Sequence, residues 1–197
     1  MLTPTRVVIV AGPSGAGKSH LARRLAWPVL RLDDFYREGH DPDLPMSPLG
    51  IPDWDDVRSW DAPAALEAIV ALCAEGEADV PVYDLGLSRR TGMRRVSVPG
   101  QRFIAEGLFA PNIVGACRDA GVLGDAICLV RPRLLTFALR LARDLREARK
   151  PPSVLIRRGW QLLGAEGEVV ARAVAAGCEP MSPRRAYARL APQEPAR

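Results

Sequence analysis

Gly12-Pro13-Ser14-Gly15-Ala16-Gly17-Lys18-Ser19 decides the fold: it follows the apolar run Val7-Val8-Ile9-Val10-Ala11 and precedes a helical pattern that begins near His20. The G-x-x-x-x-G-K-S spacing is that of a P-loop. Its glycines let the backbone turn so that successive N–H groups converge on one concavity, and the helix behind adds its positive end. In such a loop Lys18 neutralises the β- and γ-phosphates of a nucleotide, and the Ser19 hydroxyl is a ligand for Mg²⁺. A glycine-rich turn after a strand can also be mere punctuation. The Lys18-Ser19 pair and the strand-before, helix-after setting favour phosphate binding over that reading. The nucleotide-binding set is Gly12 to Ser19 with His20. The loop leaves open what becomes of the phosphate, since GTPases, ATPase motors and kinases share it.

With 197 residues, 48% of them hydrophobic, the chain can bury a full core and suits one domain with a lid or insertion. No apolar run approaches the ~20 residues of a membrane span, and the N-terminal run leads into the P-loop without a cleavage site. The expectation is a cytoplasmic protein with no membrane partner. Cys73, Cys117, Cys128 and Cys178 are far apart and form no C-x-x-C pair, which reads as reduced, buried thiols and not as a metal site. The net charge of +4 hides an asymmetry: residues 131–197 carry 14 Lys/Arg against 6 Asp/Glu. A basic third could meet nucleic acid, but no nucleic-acid motif accompanies it. Beside a P-loop, arginines more naturally surround transferring phosphates.

The chain predicts a central parallel strand over 6–11, a helix over 19–26, and a second short strand over 29–32 that delivers Asp33-Asp34-Phe35-Tyr36 at its carboxyl end. A carboxylate there can accept a proton from a substrate hydroxyl or hold a metal's water shell; alternatively the pair forms a turn or helix cap. Residues 37–63 read as a long loop in which Asp53-Trp54-Asp55-Asp56 and Trp60-Asp61 set rings beside carboxylates. The set suits a nucleoside, or the rings pin the loop to the core. A helix over 62–74 follows, then two strands, 80–84 and 95–98, joined by 85–94 as a hairpin. Tyr83 and Asp84 can face substrate or pack. Strand 102–105 ends in Glu106-Gly107, an acid placed to orient Mg²⁺. A helix over 112–120 and a strand over 126–130 lead to a helical stretch, 132–149, with Arg140, Arg143, Arg146 and Arg149 at three-residue intervals. That face is solvated, or it closes as a lid over the phosphoryl group. Residues 160–190 read as wholly helical, with Ser182-Pro183 opening the last helix, and 192–197 as a frayed tail.

Taken together, GPSGAGKS at 12–19, DDFY at 33–36, DWDDVRSWD at 53–61, PVYD at 81–84, AEG at 105–107 and RLARDLREARK at 140–150 resemble the uridine kinase family of P-loop kinases, relatives of phosphoribulokinase and pantothenate kinase. The resemblance implies ATP- and Mg²⁺-dependent phosphorylation of the 5′-hydroxyl of a pyrimidine ribonucleoside. By that resemblance Asp33 is the catalytic base, and Tyr36, Trp54 and Asp55 surround the nucleoside, with Asp55 on ribose hydroxyls. Tyr83 lies near the base, Glu106 near Mg²⁺, and Arg140 and Arg143 reach substrate and phosphates. It also admits a homo-oligomer. Two departures stand out. Ser88 occupies the place where the family has a base-recognising His, and Ala148-Arg149-Lys150 before Pro151-Pro152 replaces the lid's Arg-Gly-Arg.

The expected architecture is a three-layer α/β P-loop NTPase fold with a parallel central sheet, in one domain over 1–191. It carries a substrate-covering β-hairpin near 80–98 and an Arg-rich helical lid near 140–159. Its rivals are a kinase for another hydroxylated metabolite, pantothenate-like or a sugar phosphate, and a nucleotide-binding regulator or slow NTPase.

Overall fold

The apolar run forms β1 (Arg6–Ala11), and Val7 to Ala11 are all buried, as an unbroken β-branched run requires of a strand covered on both faces. The computed structural model describes residues 4–132, 136 and 166–191. After β1 come α1 (Lys18–Leu25), β2 (Val29–Arg31), α2 (Ala62–Glu75), and strands β3 (Glu77–Asp84), β4 (Arg89–Ser97) and β5 (Arg102–Glu106). They are followed by α3 (Val114–Asp119), β6 (Leu123–Leu129), α4 (166–175), β7 (Glu179–Met181) and α5 (Pro183–Leu190). A five-stranded sheet has the order β2-β5-β1-β6-β7, and β3 and β4 form a separate antiparallel pair. The class is therefore α/β with a parallel central sheet, as the sequence predicts.

Backbone contacts divide the described chain into two compact units, 4–9 with 27–125, and 10–26 with the described residues from 126 on. In the first, β2 and β5 run parallel from Val29 opposite Ile104 to Arg31 opposite Glu106. The helix α2 starts on Asp61, whose carboxylate accepts the Ala64 N–H, and stops at Gly76 in the left-handed region. It buries Ala65, Ala68, Ile69 and Leu72 on one face. In the second unit β6 and β7 pair in parallel from Ile127 opposite Glu179 to Leu129 opposite Met181, and Ser182 caps α5 by accepting the Arg185 N–H.

Two expectations are corrected. Residues 85–94 are not the connection of the hairpin, because β4 already begins at Arg89. Asp84 Oδ1 accepts the N–H groups of Gly86 and Leu87 at 2.8 and 3.1 Å, so the turn closes within four residues and pairing resumes with Asp84 opposite Arg89. Residues 160–190 are not wholly helical, because β7 interrupts them. A three-residue strand containing Pro180 has no periodicity to read, and proline is tolerated there because β7 is an edge strand. The proposed lid, 140–159 with Arg140, Arg143, Arg146 and Arg149, and the tail 192–197 lie outside the described residues. Among the described residues no helix is long and apolar enough to cross a membrane. Cys117, Cys128 and Cys178 are buried and Cys73 half-buried, all as free thiols.

The long loop is held to the sheet by Trp60, which is buried and donates its indole N–H to the Leu32 carbonyl at 2.8 Å. Trp60→Phe keeps an aromatic ring but removes the indole bond from the Leu32 carbonyl, which still lies in the 3-10 turn Leu32–Phe35. It should cost about 0.5–1.5 kcal/mol in urea unfolding, and an unchanged midpoint would show that the bond contributes nothing.

Candidate functional site

Within the second unit the phosphate loop turns on three glycines, Gly12, Gly15 and Gly17, with φ of 130°, 88° and 105°. Such angles are costly for any residue with a Cβ. At Gly12 the demand is also steric, since a Cβ would stand 2.5 Å from the Leu129 carbonyl oxygen. The helix α1 then begins at Lys18 with no acidic residue in its first turn, so its positive end is not offset from within that turn. Lys18 Nζ donates to the Gly12 carbonyl at 2.8 Å and approaches that of Pro13 at 3.4 Å, which lays the ammonium along the loop. Arg131 Nε donates to the Ala16 carbonyl at 2.8 Å. Ser19 and His20 are exposed on the first turn of α1. A turn that only glycine accepts, a helix start without acids and a cation along the loop together fit the phosphates of a nucleotide.

Within the first unit the two carboxylates after β2 have different environments. Asp34 is buried and meets Arg94 at 3.3 Å and Arg31 at 4.0 Å, which fastens β4 to the end of β2. Asp33 is half-buried, and its Oδ1 accepts the Leu108 N–H at 2.8 Å. A Cβ on Gly107 would come within 2.7 Å of that same oxygen, so this close approach needs glycine. Because Arg31 stands opposite Glu106 in the sheet, the turn carrying Asp33 and the chain leaving Glu106 run side by side.

Beside Asp33 stands an aromatic wall. The Tyr36 ring meets Trp54 at 5.6 Å, edge to face, and Tyr83 and Phe109 each at 5.8 Å. Trp54 also meets Tyr83 at 6.5 Å. Both tyrosine hydroxyls donate to main-chain carbonyls, Tyr36 to that of Trp54 at 3.1 Å and Tyr83 to that of Arg37 at 2.8 Å. The rings are thereby fixed against one another with their donors engaged; Tyr36, Tyr83 and Phe109 are buried, and Trp54 is half-buried. Burial pushes the Tyr36 hydroxyl well above its ordinary value, and the nearby carboxylates of Asp33 and Asp55 add to the rise. Burial likewise pushes Tyr83 up to about 12, with Glu38 adding.

The aromatic–acid pairs of the long loop separate. Trp54 is half-buried and Asp55 exposed, whereas Trp60 belongs to the core and Asp61 caps α2 and meets Arg90 at 3.3 Å. Ser88, at φ 49°, closes the hairpin turn; its carbonyl accepts the Gly39 N–H at 2.7 Å, and a Cβ on Gly39 would lie 2.9 Å from the Ser88 Cβ. Phe109, the Leu108 amide and Arg131 escape a sequence reading. Phe109 carries no periodic signal, and Arg131 has only its position after an apolar strand to recommend it. Arg140 and Arg143 lie outside the described residues.

No family model matches the chain. A uridine kinase of Deinococcus deserti is 29% identical to it over 161 residues, 77% of this chain and 74% of that protein. Among solved structures, a protein described as a fructose transport system kinase of Silicibacter sp. TM1040 has a TM-score of 0.58 at 20% identity, over 92% of this chain and 89% of that one. Phosphoribulokinase of Rhodobacter spheroides has a TM-score of 0.51 at 15% identity, over 89% and 68%. In sequence the chain resembles uridine kinase, and in fold it resembles P-loop kinases.

A tyrosine whose pKa rises on folding holds its proton more tightly folded than unfolded. Its contribution to stability is complete below the unfolded value of about 10 and is lost as pH climbs toward the folded one. For Tyr83 that window ends at about 12. Denaturant unfolding across it should show stability falling with pH, and falling less steeply in Tyr83→Phe; equal slopes would mean that Tyr83 is not held neutral by the fold.

Proposed function

We propose that this chain, an alcohol-accepting P-loop phosphotransferase by its likeness to uridine kinase and its fold, transfers the γ-phosphoryl group of ATP to the 5′-hydroxyl of uridine or cytidine. The observation that carries this reading is the anchored carboxylate of Asp33 beside the wall of Tyr36, Trp54 and Tyr83. Aromatic surface suits a nucleoside, and a carboxylate at its margin suits a hydroxyl that must lose a proton.

ATP supplies the phosphoryl group and Mg²⁺ offsets its charge; Ser19 and Glu106, a hydroxyl and a carboxylate, are the hard oxygen donors that suit this ion. The amides of the 12–19 loop and Lys18 hold the donor's phosphates. Asp33 accepts the proton of the acceptor hydroxyl as its oxygen bonds to the γ-phosphorus and the bond from that phosphorus to the bridging oxygen breaks, leaving ADP, because a neutral hydroxyl attacks poorly. The Leu108 N–H keeps one Asp33 oxygen fixed, which sets the direction of the other. Trp54 and Asp55 orient the ribose, and Tyr36 and Tyr83 form the surface behind it. Arg140 and Arg143, outside the described residues, are assigned to substrate and phosphates, with Arg143 acting on the transferring group. The same reading has one kinase domain over 1–191, with the hairpin covering the acceptor and residues 140–159 closing as a lid. It works in the cytoplasm on small molecules, without nucleic-acid or membrane partners, and allows self-association.

One observation favours a second acceptor class, a hydroxylated metabolite such as pantothenate or a sugar phosphate. Ser88 is bound into the hairpin turn against Gly39, so the position from which a His would read the pyrimidine serves the backbone instead.

ADP release from Mg·ATP, measured with uridine, cytidine, adenosine, guanosine and pantothenate in turn, decides between them. Stimulation by uridine or cytidine, with the monophosphate identified by mass, is the expected result; stimulation by pantothenate alone would replace the acceptor. Asp33→Asn should then slow turnover on the order of 10²–10⁴-fold with nucleotide affinity kept. A loss of nucleotide affinity at preserved maximal rate would make Asp33 a metal or structural residue. Gly107→Ala, which presses a methyl onto Asp33 Oδ1, should lower maximal turnover while leaving nucleotide affinity alone; full activity would show that the anchoring of Asp33 is dispensable.

A further inference from the structure

We infer that Arg131 is a positioning residue of the donor site, holding the phosphate loop in the form in which its amides face the phosphates. The inference rests on the donor half of the reading above. Arg131 belongs to none of the stretches that carry the family resemblance.

Its base is fixed by the sheet. Arg131 lies just beyond β6, and the preceding residue, Val130, donates its N–H to the Met181 carbonyl of β7 at 3.0 Å. From there Nε reaches the Ala16 carbonyl at 2.8 Å, and a Cβ on Gly17 would come within 3.1 Å of Nη2. The guanidinium thus lies on the peptide that joins Ala16 to Gly17, at the start of α1. That peptide unit is planar and trans, so its C=O and N–H point in opposite directions. Holding the Ala16 carbonyl toward Arg131 turns the Gly17 N–H away from it. The loop's carbonyls are in this way drawn to two cations, those of Gly12 and Pro13 to Lys18 and that of Ala16 to Arg131.

Charge supports the same role. A cation beside the positive end of a helix is disfavoured, and the first turn of α1 has no acidic residue to offset it. An anion bound at that helix start removes the conflict, so this cost to the nucleotide-free protein adds to the affinity for phosphate. Arginine suits the position because its planar fork can fix a carbonyl and lie along the neighbouring peptide at once, whereas lysine offers only a point charge.

The test is calorimetric titration of Mg·ADP into the full chain and its Arg131→Ala and Arg131→Lys variants, with unfolding of each nucleotide-free protein and the Michaelis constant for whichever acceptor proves active. Arg131→Ala should weaken ADP binding about tenfold or more, with the acceptor constant and the unfolding midpoint near those of the parent chain. Arg131→Lys should recover part of the affinity, and free guanidinium ion added to Arg131→Ala should recover more. If the parent chain binds no ADP, the donor reading itself fails. If it binds and Arg131→Ala binds equally well, the reading stands and the role of Arg131 is overturned. A fall in both affinity and midpoint that neither lysine nor guanidinium relieves would make Arg131 merely structural and overturn the inference too.

Discussion

The parallel pairing of β2 with β5 is the constraint on which the cluster around Asp33 depends. It sets Arg31 opposite Glu106, so the chains leaving the two strands run together. The Leu108 amide can then meet Asp33, across 75 positions of sequence. Gly107 permits the approach, since any side chain there would strike the Asp33 carboxylate. Phe109, next along, packs against both Tyr36 and Trp60. A single strand register thereby orients a carboxylate, supports one ring of the aromatic wall and seats the ring that ties the long loop down. A slip of one residue would turn alternate side chains to the opposite face and dissolve all three arrangements.

The hairpin depends on that same turn through a different force. Asp34 is buried, and removing its Arg94 partner would leave a carboxylate that water reaches poorly, a cost several-fold larger than that of breaking an exposed pair. The Arg95–Asp79 pair across the hairpin is shorter, at 2.7 Å, yet open to solvent, so it contributes little to holding the hairpin in place. Distance alone would rank these two contacts the wrong way round. Adjacent carboxylates in sequence thus differ in setting: Asp34 secures the hairpin, and Asp33 stays half-buried, held by the Leu108 amide near Tyr36.

In the glycine-rich loop before α1 the decisive quantity is the direction of peptide dipoles. Glycines at φ values that other residues avoid let the loop reverse, but they do not choose which way each peptide faces. Cations on the carbonyl side make that choice, Lys18 from within the loop and Arg131 from the end of β6.

Local features were legible in the sequence because neighbouring residues cause them. The continuous apolar run of β1, the P-loop and its helix, the alanine-rich apolar α2 and the Ser182-Pro183 start of α5 each depend on residues within a turn or two. The hairpin was visible too, though Asp84's capture of two amides made it tighter than its composition suggested. β7 was not, because three residues carry no period and only pairing with β6 makes them a strand. Nor could the sequence distribute roles among like neighbours. Asp33 against Asp34, and Trp54 against Trp60, were separated by Leu108, Arg94 and the Leu32 carbonyl, partners 75, 60 and 28 positions away. The sequence by itself determined a glycine-rich P-loop, the order of the elements up to β6 and the stretches from which the candidate site is built. Tertiary structure decided which carboxylate and which ring are only half-buried and which arginine touches the loop, because burial and hydrogen-bond partners are set by strand pairing between distant segments.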